Sequence, residues 1–146
     1  MSDLDSHPPA DMSGGPSVVE VRTSATAALI PTIRAVASDL AARADFDLDA
    51  ISDLRMAVDE ACATLVDVAA PSTMLQCTFR VHAEHIEVHA QVLAGTADAA
   101  VSTDTFGWRV LQTLADDVEA VREPSADHAA PTVGIRLNKR AGAFPR

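Results

Sequence analysis

The stretch Ala50–Val68 constrains the fold more than any other part of the chain. Ile51, Leu54, Val58, Ala61, Leu65 and Val68 recur at alternating steps of three and four. That is the period of an α-helix with one apolar stripe, not of a strand. Asp49 is placed to cap its start, and Asp53 follows in the first turns, where carboxylates favour the positive end of the helix dipole. Pro71 stops it. A helix with such a stripe must bury it against another element, and the flanking segments decide which.

Thr26–Ala44 offers a second helix, with Leu29, Ile33, Val36 and Leu40 at steps of four, three and four. Pro31 is tolerated only in a first turn, which starts the regular helix near Ala28. Thr73–His82 and Ile86–Val92 alternate polar and apolar residues around a short turn, Ala83–His85, and read as a hairpin with one buried face. Ser17–Arg22 reads as an edge strand. Thr105–Asp117 reads as a third helix, with Val110, Leu111, Leu114 and Val118 inward. Glu119–Val121 is a short strand and Thr132–Leu137 the last one, with polar loops at Gly95–Asp104 and Arg122–Pro131.

The order strand, helix, helix, strand, strand, helix, strand, strand is satisfied by an α+β fold. It is a two-layer α/β sandwich, a mostly antiparallel sheet with three helices on one face. Residues 1–16, dominated by Pro, Gly, Ser and Asp, are expected as a disordered tail. The domain is expected to cover 17–138, and the basic segment 139–146 to fray.

Composition narrows the function classes. A chain of 146 residues with 48% hydrophobic residues suits one core. Aromatics are only 3%, so that core is built from Ala, Val, Leu and Ile. The net charge of −10 opposes binding to phosphate backbones and suits a basic protein partner. Met1–Asp11 is acidic without an apolar run, so no signal peptide is expected. No stretch approaches the roughly 18–20 apolar residues that span a membrane. The expectation is a cytoplasmic chain with no nucleic-acid and no membrane partner. Cys62 and Cys77 lie in apolar, periodic stretches and are expected as buried, reduced thiols.

Few residues stand out for chemistry. Glu60 and Thr64 lie four apart on the polar side of the central helix, with Asp53 and Asp67 nearby. A carboxylate there can serve as a general base or position a metal-bound water; a solvated acidic face is the plainer alternative. Gly107 opens the third helix and leaves room for a phosphate to approach backbone N–H groups. Arg34, mid-helix on the polar side, is either a surface arginine or an anchor for a carboxylate-bearing partner. His82, His85 and His89 cluster around the hairpin, but their spacing lacks supporting Cys or Asp residues. They are expected as polar hairpin side chains, with no metal site.

Two segments carry a resemblance. DLRMAVDEACATLV (Asp53–Val66), then a hairpin, then FGWRVLQTLADDVEAV (Phe106–Val121) resembles the anti-sigma factor kinase family typified by RsbW and SpoIIAB. The likeness runs from about Val18 to Leu137 and is greatest to the actinobacterial, UsfX-like branch. It implies the Bergerat ATP-binding fold, the histidine-kinase-like ATPase fold. In that family one helix carries a Glu as general base and, four residues later, an Asn that holds Mg²⁺. Glu60 stands at the Glu position and Thr64, with a shorter side chain, at the Asn position. The next box, Asp-x-Gly-x-Gly, reads adenine through its Asp; here the segment is VHAQVLAGTAD, with Ala90 at the Asp and Gly95 surviving. The phosphate lid is reduced to about a dozen residues between Gly95 and Gly107. Phe106 and Trp108 replace glycines beside Gly107, and Trp108 is expected to crowd a phosphate. A last Gly-Thr box has become PTVGIRL. Arg34 lies as far before Glu60 as the family's partner-contacting arginine lies before its own Glu.

The resemblance therefore implies an anti-sigma factor on a degenerate kinase scaffold. It would be a homodimer that binds a sigma factor and is released by an anti-anti-sigma STAS protein. Acidic residues such as Asp53, Asp67, Asp116 and Asp117 would steer basic partner surfaces. The alternative is an active serine kinase using Glu60 with ATP and Mg²⁺. A third reading is an unrelated α/β dimerisation or ligand module.

Overall fold

The computed structural model describes residues 15–125 and 129–142. The expected tail at 1–14, and the last part of the expected frayed segment, lie outside those residues. The elements in chain order are β1 (Ser17–Ser24), a 3-10 turn (Ala27–Leu29), α1 (Ile30–Arg43), α2 (Leu48–Val68), β2 (Met74–Val81), β3 (His85–Leu93), α3 (Phe106–Leu114), β4 (Asp117–Glu123) and β5 (Thr132–Arg140). The five strands form one sheet in the order β1-β2-β3-β5-β4, antiparallel throughout. The fold is the expected α+β arrangement of three helices and an antiparallel sheet.

Element boundaries shifted for identifiable reasons. Pro31 falls in the first turn of α1, and Thr26 caps the 3-10 turn before it. α2 begins at Leu48, because Asp47 rather than Asp49 is the N-cap; its Oδ1 accepts from the Ala50 amide at 2.8 Å. α3 ends at Leu114 rather than Asp117, and Ala115 is already extended. Asp117 and Val118 open β4, so Val118 packs on the core from a strand. β5 runs to Arg140, so Lys139 and Arg140 belong to the sheet and not to a frayed tail. Arg140 is held there because its amide donates to Asp116 Oδ2 at 2.7 Å.

The core lies between the helices and one sheet face. α2 contributes Ala50, Leu54, Ala57, Val58, Ala61, Cys62 and Leu65. α1 contributes Ile30, Ile33, Ala37 and Ala41, a line turned from the expected one, with Val36 and Leu40 at its margin. Opposite them stand Leu75, Cys77 and Phe79 of β2, Ile86, Val88, Ala90 and Val92 of β3, and Val133, Ile135 and Leu137 of β5. Each fully buried Leu, Ile or Phe here stabilises the fold by roughly 1.5–3 kcal/mol relative to an exposed one. The frequent alanines on α1 and α2 let the helices lie close without large side chains. Cys62 and Cys77 are buried free thiols with their sulfurs 3.9 Å apart, one on α2 and one on β2. The hydrogen bond with the Cys77 thiol, and then burial, hold the Cys62 thiol well above its ordinary range, so it stays protonated.

Candidate functional site

The site forms where the middle of α2 meets the start of α3. Thr105 caps α3, its Oγ1 accepting from the Trp108 amide at 3.0 Å. That sets Gly107 in the first turn, facing α2. A Cβ at Gly107 would overlap Glu60 Oε2 and come within 3.1 Å of Glu60 Cδ. The glycine is thus the reason that the Glu60 carboxylate can pack against the first turn of α3. The structure brings together Glu60 and Gly107, residues 47 apart in sequence.

Thr64 sits one turn further along α2. Its hydroxyl donates to the Glu60 carbonyl at 2.9 Å, a bond within the helix. Gly95 lies elsewhere: its amide donates to the Val68 carbonyl at 2.9 Å, tying the end of β3 to the end of α2. A Cβ at Gly95 would meet only ordinary contacts of 3.5 Å or more, so nothing there demands a glycine. The loop that follows is tucked in. Val101 is buried, and Arg122 of β4 holds the Ala97 and Ala99 carbonyls at 2.8 and 3.0 Å.

One sequence expectation about this region is corrected. Trp108 does not crowd the helix start; it is buried in the core, and Phe106 is the exposed aromatic. What covers the helix start is Glu60. Ala90 lies mid-strand, facing Cys77 and Ile135 in the register and 1% exposed. That is a sealed core position, not a pocket rim. The residue two before Gly95 is Leu93, and neither side chain can accept a hydrogen bond from an adenine amino group.

A nucleotide with Mg²⁺ needs an adenine acceptor, oxygen ligands for the cation and an open helix start. The acceptor is missing at both Ala90 and Leu93, and the Glu60 carboxylate rests against Gly107. The residues present do not fit Mg·ATP in this conformation, and no reaction step is derived through it.

The neighbouring helix face carries a different arrangement. Arg34 Nη1 of α1 lies 3.4 Å from Asp59 Oδ2 of α2, one residue before Glu60. Asp59 Oδ1 is shielded from solvent and has no hydrogen-bond partner. Burial raises the Asp59 carboxyl above its usual range, although Arg34 and Arg55 both pull it down. Arg34 remains 38% exposed, so it can reach a partner while leaning on Asp59. Asp59 went unnoticed in the sequence because nothing periodic links it to Arg34.

Not every acidic residue expected at the surface is free. Asp53 pairs with Lys139 Nζ at 3.2 Å, and the same ammonium donates to the Leu114 carbonyl at 2.9 Å. This lysine, 14% exposed, clips β5 to α2 and to the end of α3. Asp116 is engaged by the Arg140 amide. Asp67 and Asp117 remain exposed. The three hairpin histidines separate: His82 and His85 stack together, whereas His89 faces a groove of about 650 Å³ on the outer side of the sheet, away from the helices. There its Nε2 is shielded and unpaired, and burial followed by Arg136 lowers its proton affinity.

A helix bearing Glu60 beside a second helix with Gly107 in its first turn, over an antiparallel sheet, is the arrangement of a histidine-kinase-like ATPase fold. Residues 23–129 match the histidine kinase-like ATPase domain family, and the chain belongs to it. Within that family it is RsbW-like. It is 33% identical over 135 residues to the Anti-sigma-F factor RsbW of Mycobacterium tuberculosis, in strains CDC 1551 and H37Rv alike. The matched region is 90% of this chain and 79% of the relative. No helix among the described residues is long and apolar enough to cross a membrane.

Proposed function

We propose that this chain is a cytoplasmic anti-sigma factor that sequesters an alternative sigma factor without depending on ATP. The observation that carries the reading is the likeness, over nine-tenths of the chain, to relatives named as anti-sigma-F factors. The lack of a side-chain acceptor at Ala90 and Leu93 supports the independence from ATP. Arg34, half-exposed and steadied by Asp59, is the proposed anchor on the partner face. In this reading the chain is a homodimer, and a STAS-type anti-anti-sigma protein releases the sigma factor by competing for overlapping footprints. Competition requires only differential affinity.

One observation favours the alternative, an active serine kinase that phosphorylates the STAS protein. A carboxylate suited to a general base is retained at Glu60, beside the helix start. The two readings part on one titration. The purified chain is titrated calorimetrically with Mg·ATP, and separately co-expressed with alternative sigma factors of the same organism. Absence of nucleotide heat together with a co-purifying sigma factor is expected. Micromolar Mg·ATP binding, followed by phosphate transfer lost in Glu60→Gln, would replace this reading with the kinase.

A further inference from the structure

The tip of the β2–β3 hairpin carries a group of side chains that the anti-sigma reading does not use. The His82 amide donates to the His85 carbonyl at 2.9 Å, which sets the two residues opposite each other. Their rings stack with centroids 4.2 Å apart and planes 9° apart. Glu87 lies two residues beyond His85 on the same strand, hence on the same sheet face. Its carboxylate reaches both rings: Oε1 is 3.4 Å from His82 Nε2 and Oε2 is 3.8 Å from His85 Nε2. One ligand atom from each of the three residues falls within 4.8 Å of the others.

We propose that His82, His85 and Glu87 bind a divalent transition metal, with Zn²⁺ the best match. Two imidazole nitrogens and one carboxylate oxygen are the donor set of a borderline-soft cation. Tetrahedral Zn²⁺ with ligands at about 2.0–2.1 Å keeps its ligand atoms about 3.4 Å apart. The two His–Glu87 approaches, 3.4 and 3.8 Å, lie near that value. A second observation points to a missing partner. His82 Nε2 is shielded from solvent and makes no hydrogen bond, its 3.4 Å approach to Glu87 being misaligned for one.

Parallel rings cannot both aim a lone pair at one ion, so binding requires one ring to turn about its χ2. The side chains are 29% and 34% exposed, which leaves room for that turn. Water completes the coordination, because the hairpin tip faces solvent. Arg80 and Arg140 are the register neighbours of Glu87 and His85, and their charge opposes the cation. The site is therefore one of moderate affinity. Because His82 sits just past the end of β2 and His85 begins β3, a bound ion would fasten the hairpin tip.

The test uses the full chain freed of any histidine tag. Zn²⁺ is titrated against a chromophoric chelator, and Co²⁺ serves as a spectroscopic substitute. One ion per chain at micromolar affinity is expected, with a rise in Tm on adding Zn²⁺. His82→Ala and Glu87→Gln should each weaken binding at least tenfold, and remove the rise in Tm, while leaving the metal-free Tm nearly unchanged. Co²⁺ should give visible bands without an intense near-ultraviolet thiolate band. Overturning results are affinity unchanged in both variants, no binding up to millimolar Zn²⁺, or a thiolate band lost in Cys62→Ser, which would move the ion to the buried cysteines.

Discussion

α2 has two working contacts, and they differ in kind. Against α1 it presents an ion pair, Arg34–Asp59, that is partly open to solvent and can still change partners. Against α3 it presents Glu60, packed against Gly107 in the first turn of that helix. The first contact leaves a surface available; the second fills one. Both are built on the same rigid helix, so the difference comes from side chains and not from the fold. In the proposed reading the scaffold keeps its partner face whatever becomes of the nucleotide side, because the two contacts share a core but no polar atoms.

The largest effect tests the shared core. Leu65 is fully buried on α2, in the turn after the two contacts. Leu65→Ala should lower stability by about 3 kcal/mol, read as a lower urea midpoint with an unchanged slope. Both contacts should weaken together. If sigma capture survived a loss of that size untouched, the two ends would not depend on a common helix.

A smaller effect tests the closed end. An alanine at Gly107 forces Glu60 aside, but the atom it displaces is the end of a flexible side chain, which makes the move inexpensive. Alanine also favours helix by up to about 1 kcal/mol over glycine. Gly107→Ala should thus be nearly neutral in the native background and stabilising by about 0.5–1 kcal/mol when Glu60 is also Ala. A double-mutant cycle in urea measures that coupling. Equal effects in both backgrounds would mean that Glu60 does not rest on the helix start.

How far the sequence foresaw this comparison differs between the two contacts. The apolar stripe of α2 and the hairpin alternation were legible because periodicity reports burial directly. The pairing of Glu60 with Gly107 was legible only through the resemblance, which marks both positions, and their direct touch was not. The Arg34–Asp59 and Asp53–Lys139 pairs join residues 25 and 86 apart. No local pattern encodes such distances. The end of α3 was overrun by three residues because Ala115 and Asp116 carry no glycine or proline stop; the strand pairing of Asp117 with Asn138 ends it instead.

The smallest effect on stability tests the open contact, and it separates folding from capture most cleanly. An ion pair this exposed contributes only a few tenths of a kcal/mol. Asp59 has a raised carboxyl, so its folded form binds a proton more readily than the unfolded chain does. Its ionisation therefore opposes folding, and that opposition sets in as pH rises above the ordinary carboxylate range. Asp59→Asn should leave stability at pH 7 equal or slightly higher and flatten its fall between acid and neutral pH. Arg34→Glu should move the urea midpoint little, yet weaken sigma capture at least tenfold, because a carboxylate now stands where a partner carboxylate must approach. Thermal melts from pH 4 to 8 and a pull-down at matched concentrations read the two quantities separately. An Arg34→Glu chain that unfolds easily would make the arginine a structural clip; one that folds and still captures would move the partner face away from α1.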